Sequence, residues 1–524
     1  MSAGAAQARH PIPGFWRSAE AEPRRVALVD PGGRALEAGE LLAACNRIAH
    51  GLRARGVATG DVVAALLPNG APTVELLAAV MQIGVHLTPI NTNLAAPEIA
   101  HILADSEAKA FVADAAYAAR CAEAAEAARV PPQGRIAVGE IPGFTGWDEL
   151  QRGQPDARPG ERVAGQFLQY TSGTTGRPKG VARELARVDP DVMVPLLAGH
   201  LARFGIEPRG DHVHLTTSPM YHTAPLAYTW FSLHFEHPVV LMEHWDAERA
   251  LALIERHRVT TTHMVPTQLR RLLLLPAEVR ARYDVSSLRH VLHAAAPCPV
   301  EVKRRMMEWW GPVLYEYYGA TEGGGTLATP REWLERPGTV GRPWQGAAVR
   351  VIDDDGRECP PGRPGTVYMK LIQDFRYKGD ERKTAAGRIG DFFSVGDVGW
   401  LDADGYLFLC DRKIDMIISG GVNVYPAEVE AALLAHPRVA DAAVFGIPDD
   451  DWGESVKAVV EPARGSEAGP ELERELLAHC AEQLARYKCP RSIDFAQALP
   501  RDPNGKLYKR VLRDPYWVGR ERAI

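Results

Sequence analysis

The chain has 524 residues, of which 46% are hydrophobic and 24% are charged, and its formal net charge is −6. This length allows two or more domains with a large core, and the composition is typical of a soluble globular enzyme. The weak negative charge creates no field that would attract nucleic acid or an anionic membrane, so we expect no nucleic-acid partner.

The cysteine pattern and the N-terminal sequence predict the cellular compartment of the protein. Seven cysteines show no CxxC spacing, which favours a reducing compartment and argues against structural zinc. The N-terminal residues lack the apolar segment of a signal peptide, and no run of about 18 apolar residues predicts a transmembrane helix. We therefore expect a cytoplasmic protein without a transmembrane anchor.

Short apolar segments alternate with helical patterns in the first part of the chain. Strands are predicted at 26–29, 61–67 and 109–113, and helices at 36–55 and 72–83. This alternation is typical of a parallel sheet with right-handed crossovers. Asn69 follows the second strand, and we expect it to cap the next helix. Residues 115–160 predict one helix and a surface connection.

A second α/β stretch and a β-rich stretch follow. The predicted strands of the α/β stretch lie at 213–216, 239–242, 261–265 and 290–293. After residue 338, short alternating strands separated by Asp-Gly and Pro-Gly turns indicate a β-rich subdomain. From residue 415 onward, helices at 426–435 and 472–486 and strands at 441–445 and 456–460 predict a compact α/β unit.

The predicted fold class is therefore α/β. We expect a large N-terminal domain over residues 1–411, built of stacked α/β subdomains and a β-rich subdomain. A hinge at 412–414 would join it to a small α/β C-terminal domain at 415–524.

The segment 170–181, with the sequence YTSGTTGRPKGV, carries the strongest chemical signal. Its glycines allow successive backbone N–H groups to turn toward one point, and such a concavity binds anions. The hydroxyls add donors and Lys179 adds a positive charge, so the segment suits a polyphosphate. A flexible surface turn is the simpler interpretation. A Walker-type P-loop is excluded because Gly180, not Ser or Thr, follows Lys179.

This segment resembles the phosphate-loop signature of the adenylate-forming superfamily, which includes acyl-CoA synthetases, peptide-synthetase adenylation domains and luciferases. Five further segments match that superfamily in order, so the resemblance covers nearly the whole chain. It implies ATP and AMP binding by the loop, with Thr171 also catalytic. The loop residues concerned are Thr171, Ser172, Gly173, Thr174, Thr175, Gly176 and Lys179.

Two segments resemble the family's adenine-binding elements. The sequence YYGATE at 317–322 matches an aromatic-Gly-x-Thr-Glu motif, in which Tyr317, Tyr318 and Gly319 would offer a face to the purine. Thr321 would donate to a phosphate, and Glu322 would act in catalysis as the Mg²⁺ ligand. The turn 293–298 resembles the segment beside the adenine, with Ala295, Ala296 and Pro297 as its binding residues.

Four single residues also match family positions. His222 stands where the family has an aromatic residue or His at the acyl carboxylate, and Asp397 matches the carboxylate that accepts both ribose hydroxyls. Arg412 would reach the ribose or phosphates. Lys506, in the PxxPxGK context, would be the catalytic lysine. Taken alone, each has an ordinary interpretation, as a structural His, a Gly-Asp turn or solvated charges.

The resemblance also implies that the acyl group passes from the acyl-adenylate to a thiol. In this step the small domain rotates and presents Ser419, Gly420 and Gly421 to CoA. A plain hairpin is the alternative for this stretch. Two positions differ from the common family pattern. Ile414 stands at the hinge position, and Ala182-Arg183 replaces the usual Thr-His after the loop.

The implied function is an ATP-dependent acyl-CoA ligase using ATP, Mg²⁺ and CoA on a hydrophobic carboxylic acid, either a fatty acid or a bulkier steroid or aryl acid. Residues 221–226, 261–267 and the Ala294 turn would line the acyl pocket. One alternative is an acyl adenylyltransferase that serves a carrier protein. Another is a non-catalytic nucleotide-binding protein. A homodimer is compatible with the family.

Overall fold

The computed structural model describes residues 11–171, 179–370, 373–501 and 505–519. Helices occur along the whole described chain. They are α1 Phe15–Ala21, α2 Ala38–Ala54, α3 Ala71–Val80, α4 Ala96–Ser106, α5 Ala118–Ala127, α6 Trp147–Gln151, α7 Pro190–Ala198, α8 Thr223–His234, α9 Ala247–His257, α10 Pro266–Leu273, α11 Ala277–Arg280, α12 Val300–Trp310, α13 Pro330–Glu335, α14 Glu381–Ala386, α15 Pro426–Ala435, α16 Pro470–Gln483 and α17 Lys509–Arg513.

The strands are short in the first half of the chain and include two long ones near the C-terminus. They are β1 Val26–Val29, β2 Ala35–Glu37, β3 Val62–Leu66, β4 His86–Pro89, β5 Ala110–Asp114, β6 Arg135–Val138, β7 Thr145–Gly146, β8 Gln166–Phe167, β9 Gln169–Thr171, β10 Lys179–Ala182, β11 His214–Thr216, β12 Val239–Leu241, β13 Thr261–Met264, β14 His290–His293, β15 Leu314–Ala320, β16 Gly323–Ala328, β17 Thr339–Pro343, β18 Val349–Ile352, β19 Gly365–Lys370, β20 Arg376–Tyr377, β21 Arg388–Ile389, β22 Phe392–Phe393, β23 Asp397–Leu401, β24 Leu407–Arg412, β25 Ile417–Ser419, β26 Val422–Val424, β27 Val439–Asp449, β28 Gly453–Pro462 and β29 Ser492–Phe495.

The first of two compact units comprises the described residues of Met1–His263, Arg282–Val291 and Gln373–Ala386. One of its sheets is parallel throughout, in the order β7-β6-β5-β3-β4-β8. Every residue of β3 is buried, as expected for a parallel strand covered on both faces. In another sheet β2-β1-β12-β11-β13 lie side by side. A small antiparallel sheet, β20-β10-β9, carries both ends of the predicted phosphate loop.

The second unit comprises the described residues of Met264–Ala281, Leu292–Ile372 and Gly387–Ile524. Its strands β15-β16-β17-β24-β23-β19-β22-β21 form an antiparallel path, with β18 paired to β19. A separate sheet, β26-β25-β28-β27, carries β29 parallel to β28. Helices α15 and α16 bury their apolar faces on this sheet, where Val429 and Leu476 join a core cluster.

The fold class predicted from the sequence, mixed α/β with a β-rich stretch in the second half, is confirmed. The strand at 26–29 and the helix at 426–435 have the predicted bounds. The prediction for residues 115–160 was incomplete, because β6 at Arg135–Val138 joins the parallel sheet beside β5. Strand β4 was also missed, since its sequence HLTP lacks the apolar run expected of a central strand.

Among the described residues, no helix is both long enough and apolar enough to cross a membrane.

Candidate active site

The two ends of the predicted phosphate loop form an antiparallel pair, in which Thr171 of β9 lies opposite Lys179 of β10. The proposed loop residues Ser172, Gly173, Thr174, Thr175 and Gly176 lie outside the described residues. Lys179 forms an ion pair with the carboxylate of Asp380, and both side chains are partly buried. Asp380 lies next to β20, which pairs with β10. This carboxylate was not predicted from the sequence.

Asn69 does not cap a helix, so that prediction was wrong. Helix α3 begins after Gly70 without a side-chain cap. Instead, the buried Asn69 side chain donates to the carbonyls of Ser218 at 3.0 Å and Met242 at 2.8 Å, and it accepts from the Met220 amide at 2.8 Å. All the polar atoms of the amide are thereby used, which fixes the loop that continues into residues 221 and 222.

The predicted carboxylate-binding residue His222 lies at the start of α8, where its backbone N–H donates to the Pro219 carbonyl at 3.1 Å. Its ring packs against that of Tyr221, with ring centres 4.6 Å apart. Tyr221 also lines a small apolar pocket of the first unit. The other lining residues are Ala65, Leu67, Thr73, Leu76, Leu87, Pro89, Met220 and Leu226. Part of the predicted acyl pocket, at 221–226, is therefore beside an apolar cavity.

The threonines of β13 do not line that cavity. Thr262 is fully buried and donates to the Leu215 carbonyl at 2.8 Å, and the Thr261 hydroxyl lies 3.0 Å from Nδ1 of His214. These hydroxyls connect neighbouring strands of the sheet. Thr267, at the other end of the predicted lining segment, contacts Gly505 instead: its hydroxyl donates to the Gly505 carbonyl at 3.3 Å.

Three predicted nucleotide-binding residues of the second unit meet at Asp397. The hydroxyl of Tyr318 donates to Asp397 Oδ2 at 2.6 Å. Asp397 lies opposite Arg412 in the β23–β24 pair, with 3.6 Å between Arg412 Nε and Asp397 Oδ1. Burial raises the pKa of Tyr318 well above its ordinary value, and the Asp397 charge raises it further. The phenol therefore stays protonated and remains a donor to the carboxylate.

The strands β15 and β16 hold the predicted Thr321 and Glu322 in a hairpin, since Ala320 lies opposite Gly323. Glu322 is only 6% exposed. Among the described residues, no group of three or more His, Cys, Asp or Glu side chains could hold a metal ion by itself. A single carboxylate at this hairpin fits Mg²⁺ that arrives with nucleotide phosphates, because such Mg²⁺ takes one or two carboxylates and keeps waters.

The predicted adenine-side turn follows β14. Ala295 has φ +75° and is exposed, whereas Ala294 before it is buried. A left-handed conformation costs a non-glycine residue about 1–3 kcal/mol and is characteristic of functional sites. Ala296 and Pro297 continue the same turn.

A buried ion pair lies behind this turn and was not predicted from the sequence. Lys303 Nζ lies 2.7 Å from Glu316 Oε2, and His293 Nε2 lies 3.6 Å from the same oxygen. Lys303 also lies over the Trp333 ring, 4.8 Å from its centre. Burial lowers the pKa of Lys303 and raises that of Glu316, while the attraction between them opposes both shifts. The pair connects α12, which follows the turn, with the strand carrying Tyr317 and Tyr318.

The predicted catalytic Lys506 follows a constrained glycine. Gly505 has φ +79°, and a Cβ at this position would lie 2.5 Å from the Thr267 hydroxyl. Its carbonyl accepts from Arg501 NH1 at 2.6 Å, and Arg501 forms a two-point ion pair with Asp441 at 2.5 and 2.8 Å. The Gly505 carbonyl, directly before Lys506, is therefore held by two donors, Thr267 and Arg501. Asn504, the predicted turn residue, lies outside the described residues.

The predicted CoA-binding residues lie in a tight hairpin between β25 and β26, in which Ser419 is opposite Val422. The Gly420 N–H donates to the Trp452 carbonyl at 2.8 Å. Gly420 has φ +59°, and a Cβ there would lie 2.4 Å from the Trp452 ring. Close approach of an exposed indole thus requires glycine at this position.

Comparison with known proteins identifies the family. The family model described as AMP-binding enzyme matches residues 15–375, and the model described as AMP-binding enzyme C-terminal domain matches residues 428–506. The chain is 34% identical over 517 residues to a fatty acid–[acyl-carrier-protein] ligase of Streptomyces coeruleorubidus, covering 97% of this chain and 96% of that protein.

Other relatives act on different acids and acceptors according to their names. The chain is 34% identical to a long-chain-fatty-acid–CoA ligase of Mycobacterium tuberculosis, covering 95% of this chain and 97% of that protein. It is 36% identical to a feruloyl-CoA synthase of an Amycolatopsis species, covering 95% and 98%. The amide bond synthetase McbA of Marinactinospora thermotolerans superposes with a TM-score of 0.82 at 30% identity, covering 97% of this chain and 100% of that structure. The chain belongs to the adenylate-forming superfamily of AMP-binding enzymes.

Proposed function

We propose that this protein is an acid–thiol ligase that activates a hydrophobic carboxylic acid with ATP and transfers the acyl group to CoA. A carboxylate oxygen attacks the α-phosphorus of ATP, and pyrophosphate leaves. The CoA thiol then attacks the carbonyl carbon, and AMP leaves. Two anions meet in the first step, so cationic groups and hydrogen-bond donors stabilise its transition state.

The observation that carries the proposal is the placement of Asp397 between Tyr318 and Arg412. A carboxylate with two oxygens suits the vicinal hydroxyls of a ribose. The Tyr318 hydroxyl and the Arg412 guanidinium on either side hold this carboxylate in a fixed orientation. This arrangement supports a nucleoside site on the face where the family motif at 317–322 lies.

The proposed site residues keep the roles expected from the sequence. Lys506, Thr171, His222 and Glu322 act in catalysis, and Glu322 holds Mg²⁺. Ser419, Gly420 and Gly421 bind CoA. The nucleotide-binding residues are Thr171, Ser172, Gly173, Thr174, Thr175, Gly176, Lys179, Ala295, Ala296, Pro297, Tyr317, Tyr318, Gly319, Thr321, Asp397 and Arg412.

The domain boundaries and the compartment belong to the same proposal. Residues 1–411 form the nucleotide- and acid-binding domain, 412–414 the hinge, and 415–524 the mobile C-terminal domain. All seven cysteines are free in the structure, which supports a cytoplasmic location because that compartment keeps thiols reduced.

Transfer to a carrier protein is a second candidate, and it is favoured by the relative from Streptomyces coeruleorubidus, whose name gives an acyl carrier protein as acceptor. The adenylation step would be the same. The two candidates differ in the thiol that the enzyme accepts.

The experiment is pyrophosphate release with ATP and Mg²⁺ on a panel of acids, each with CoA, with a phosphopantetheinylated acyl carrier protein, or with neither. Our proposal predicts repeated turnover with CoA on a hydrophobic acid. Turnover with the carrier protein alone would favour the second candidate. No release on any acid, with ATP still bound, would contradict both and leave the non-catalytic alternative.

A further inference from the structure

Helix α10 contacts the C-terminal sheet through one arginine. Arg270 donates from Nε to the Ala440 carbonyl at 2.5 Å, from NH2 to the Val439 carbonyl at 2.6 Å and from NH1 to the Leu434 carbonyl at 3.2 Å. Arg270 lies in the segment matched by the AMP-binding model, and its three acceptors lie in the segment matched by the C-terminal-domain model. One side chain thus joins the two parts of the family fold.

The acceptors form a site suited to a guanidinium. Leu434 is in the last turn of α15, where the final carbonyls lack intrahelical partners and the helix dipole favours a cation. Val439 and Ala440 begin β27. Three carbonyls in different directions match the forked donors of arginine, whereas a lysine ammonium would act as a single point charge.

The same helix also contacts the residue before Lys506. Thr267, one turn before Arg270 and on the same face of α10, donates to the Gly505 carbonyl at 3.3 Å. From Ala440 the chain passes directly to Asp441, which holds Arg501, and Arg501 donates to that same Gly505 carbonyl. The Arg270 contacts and the base of the Lys506 loop therefore belong to one continuous network.

We propose that Arg270 is a positioning residue for the adenylation step: it fastens the C-terminal sheet to α10 in the orientation in which Lys506 stabilises the attack of the acid's carboxylate on the α-phosphorus of ATP. The inference rests on the proposed ligase function. Because thiol transfer in that function uses another orientation of the C-terminal domain, the Arg270 contacts serve the first half-reaction and are released before the second. Arg270 itself touches no reacting atom.

The test separates the two half-reactions. Adenylation is followed as pyrophosphate release from ATP and the preferred acid of the panel. Thiol transfer is followed as acyl-CoA formation from the chemically prepared acyl-adenylate of that acid and CoA. Arg270→Ala should slow adenylation by about tenfold or more, as expected when a positioning contact is lost, and should leave thiol transfer at the wild-type rate. Arg270→Lys should recover adenylation only partly, because it cannot satisfy three carbonyls.

The matched control is Arg304→Ala. Arg304 is an exposed arginine of α12 that forms an ion pair with Glu301 of its own helix, so both half-reactions should be unchanged. An equal loss in both half-reactions for Arg270→Ala, or no loss in either, would overturn the proposal. If Arg270→Ala melts below the control, Arg270→Lys takes its place in the same comparison.

Hydrogen exchange tests the contact without catalysis. Arg270→Ala should accelerate amide exchange in residues 434–441 and 505–507 and leave exchange in β15 and β16 unchanged. If the wild-type protein releases no pyrophosphate on any acid, the proposed function fails, yet this exchange result still decides whether Arg270 holds the C-terminal sheet. Unchanged exchange in residues 434–441 would overturn the proposal by itself.

Discussion

The phenolic hydroxyl of Tyr318 donates to Oδ2 of Asp397 at 2.6 Å, although the two residues lie on different strands and 79 positions apart in the chain. Tyr318 is only 9% exposed. Its ring therefore contributes packing, and its hydroxyl contributes the orientation of the carboxylate that we assign to the ribose. The family motif thus supplies both an aromatic ring and a hydrogen-bond donor that orients Asp397.

Replacing Tyr318 by Phe separates these two contributions. The ring stays, but Asp397 loses a donor worth about 1.5–3 kcal/mol when the acceptor is charged. We expect the KM for ATP to rise by about tenfold or more, with a smaller change in kcat. Tyr315→Phe, on the same strand, is the control and should leave the KM for ATP unchanged. A Tyr318→Phe enzyme with the wild-type KM for ATP would contradict the role of the Tyr318 hydroxyl in orienting Asp397.

Lys506 is expected to act only in adenylation. Lys506→Ala should lower pyrophosphate release by about 10²–10³-fold, the usual effect of removing one donor to developing charge. Acyl transfer from supplied acyl-adenylate to CoA should persist. Lys488→Ala, which removes an exposed ion pair with Glu428, is the control. Wild-type pyrophosphate release by Lys506→Ala would remove this lysine from the mechanism.

The buried pair of Lys303 and Glu316 should dominate the stability of the adenine-side turn. Lys303→Met leaves the Glu316 carboxylate buried without its cation, which should lower the free energy of unfolding by about 3–5 kcal/mol. The double change Lys303→Met/Glu316→Gln should recover part of that loss because it removes the unpaired charge. Urea unfolding measures both free energies of unfolding. A single variant as stable as the wild type would show that the pair contributes little.

A cluster of two buried histidines and one half-buried histidine predicts acid lability. The His212 ring lies 4.9 Å from that of His237 and 5.7 Å from that of His290. Burial lowers the pKa of His237 to about 3 and that of His290 to about 4, and it also lowers the pKa of His212. The neighbouring charges that add to these shifts include Arg289 and Arg25.

The sign of the pH effect follows from these depressed pKa values. The unfolded chain binds protons at a pKa of about 6.5, whereas the folded cluster stays neutral, so its contribution to stability is complete above that pH. Stability should fall as pH decreases from about 6.5 toward 4, by up to about 1.4 kcal/mol per pH unit for each histidine. Urea midpoints measured across this range should fall less steeply for His237→Gln. A variant with the same slope would contradict the assignment.

Local features of the fold and site were predictable because they depend on neighbouring residues. The helix at 426–435 follows from apolar periodicity, and Gly420 and Gly505 both have a positive φ, which favours glycine. The partners of the functional residues could not be predicted in the same way. Asp380 is 201 positions from Lys179, and one sequence does not show which distant carboxylate a lysine meets.

Asn69 shows the same limit of sequence-based prediction. An Asn between a strand and a helix is typical of a cap, and nothing in the adjoining residues indicates that it instead holds the loop 218–220. The role of Arg270 could likewise not be predicted from the sequence, because an arginine on an amphipathic helix has the pattern of a solvated charge. A backbone carbonyl can accept a long-range hydrogen bond whatever side chain its residue carries. The residue types at the acceptor positions therefore do not reveal such a contact.

The most direct test of adenylation follows the carboxylate oxygen. The preferred acid, labelled with ¹⁸O in its carboxylate, is converted with ATP, Mg²⁺ and CoA, and the products are analysed by mass spectrometry. Because the carboxylate oxygen attacks the α-phosphorus and the acyl–oxygen bond then breaks, our account predicts one ¹⁸O atom in each AMP and none in pyrophosphate. Labelled inorganic phosphate with ADP, or AMP free of label, would contradict it.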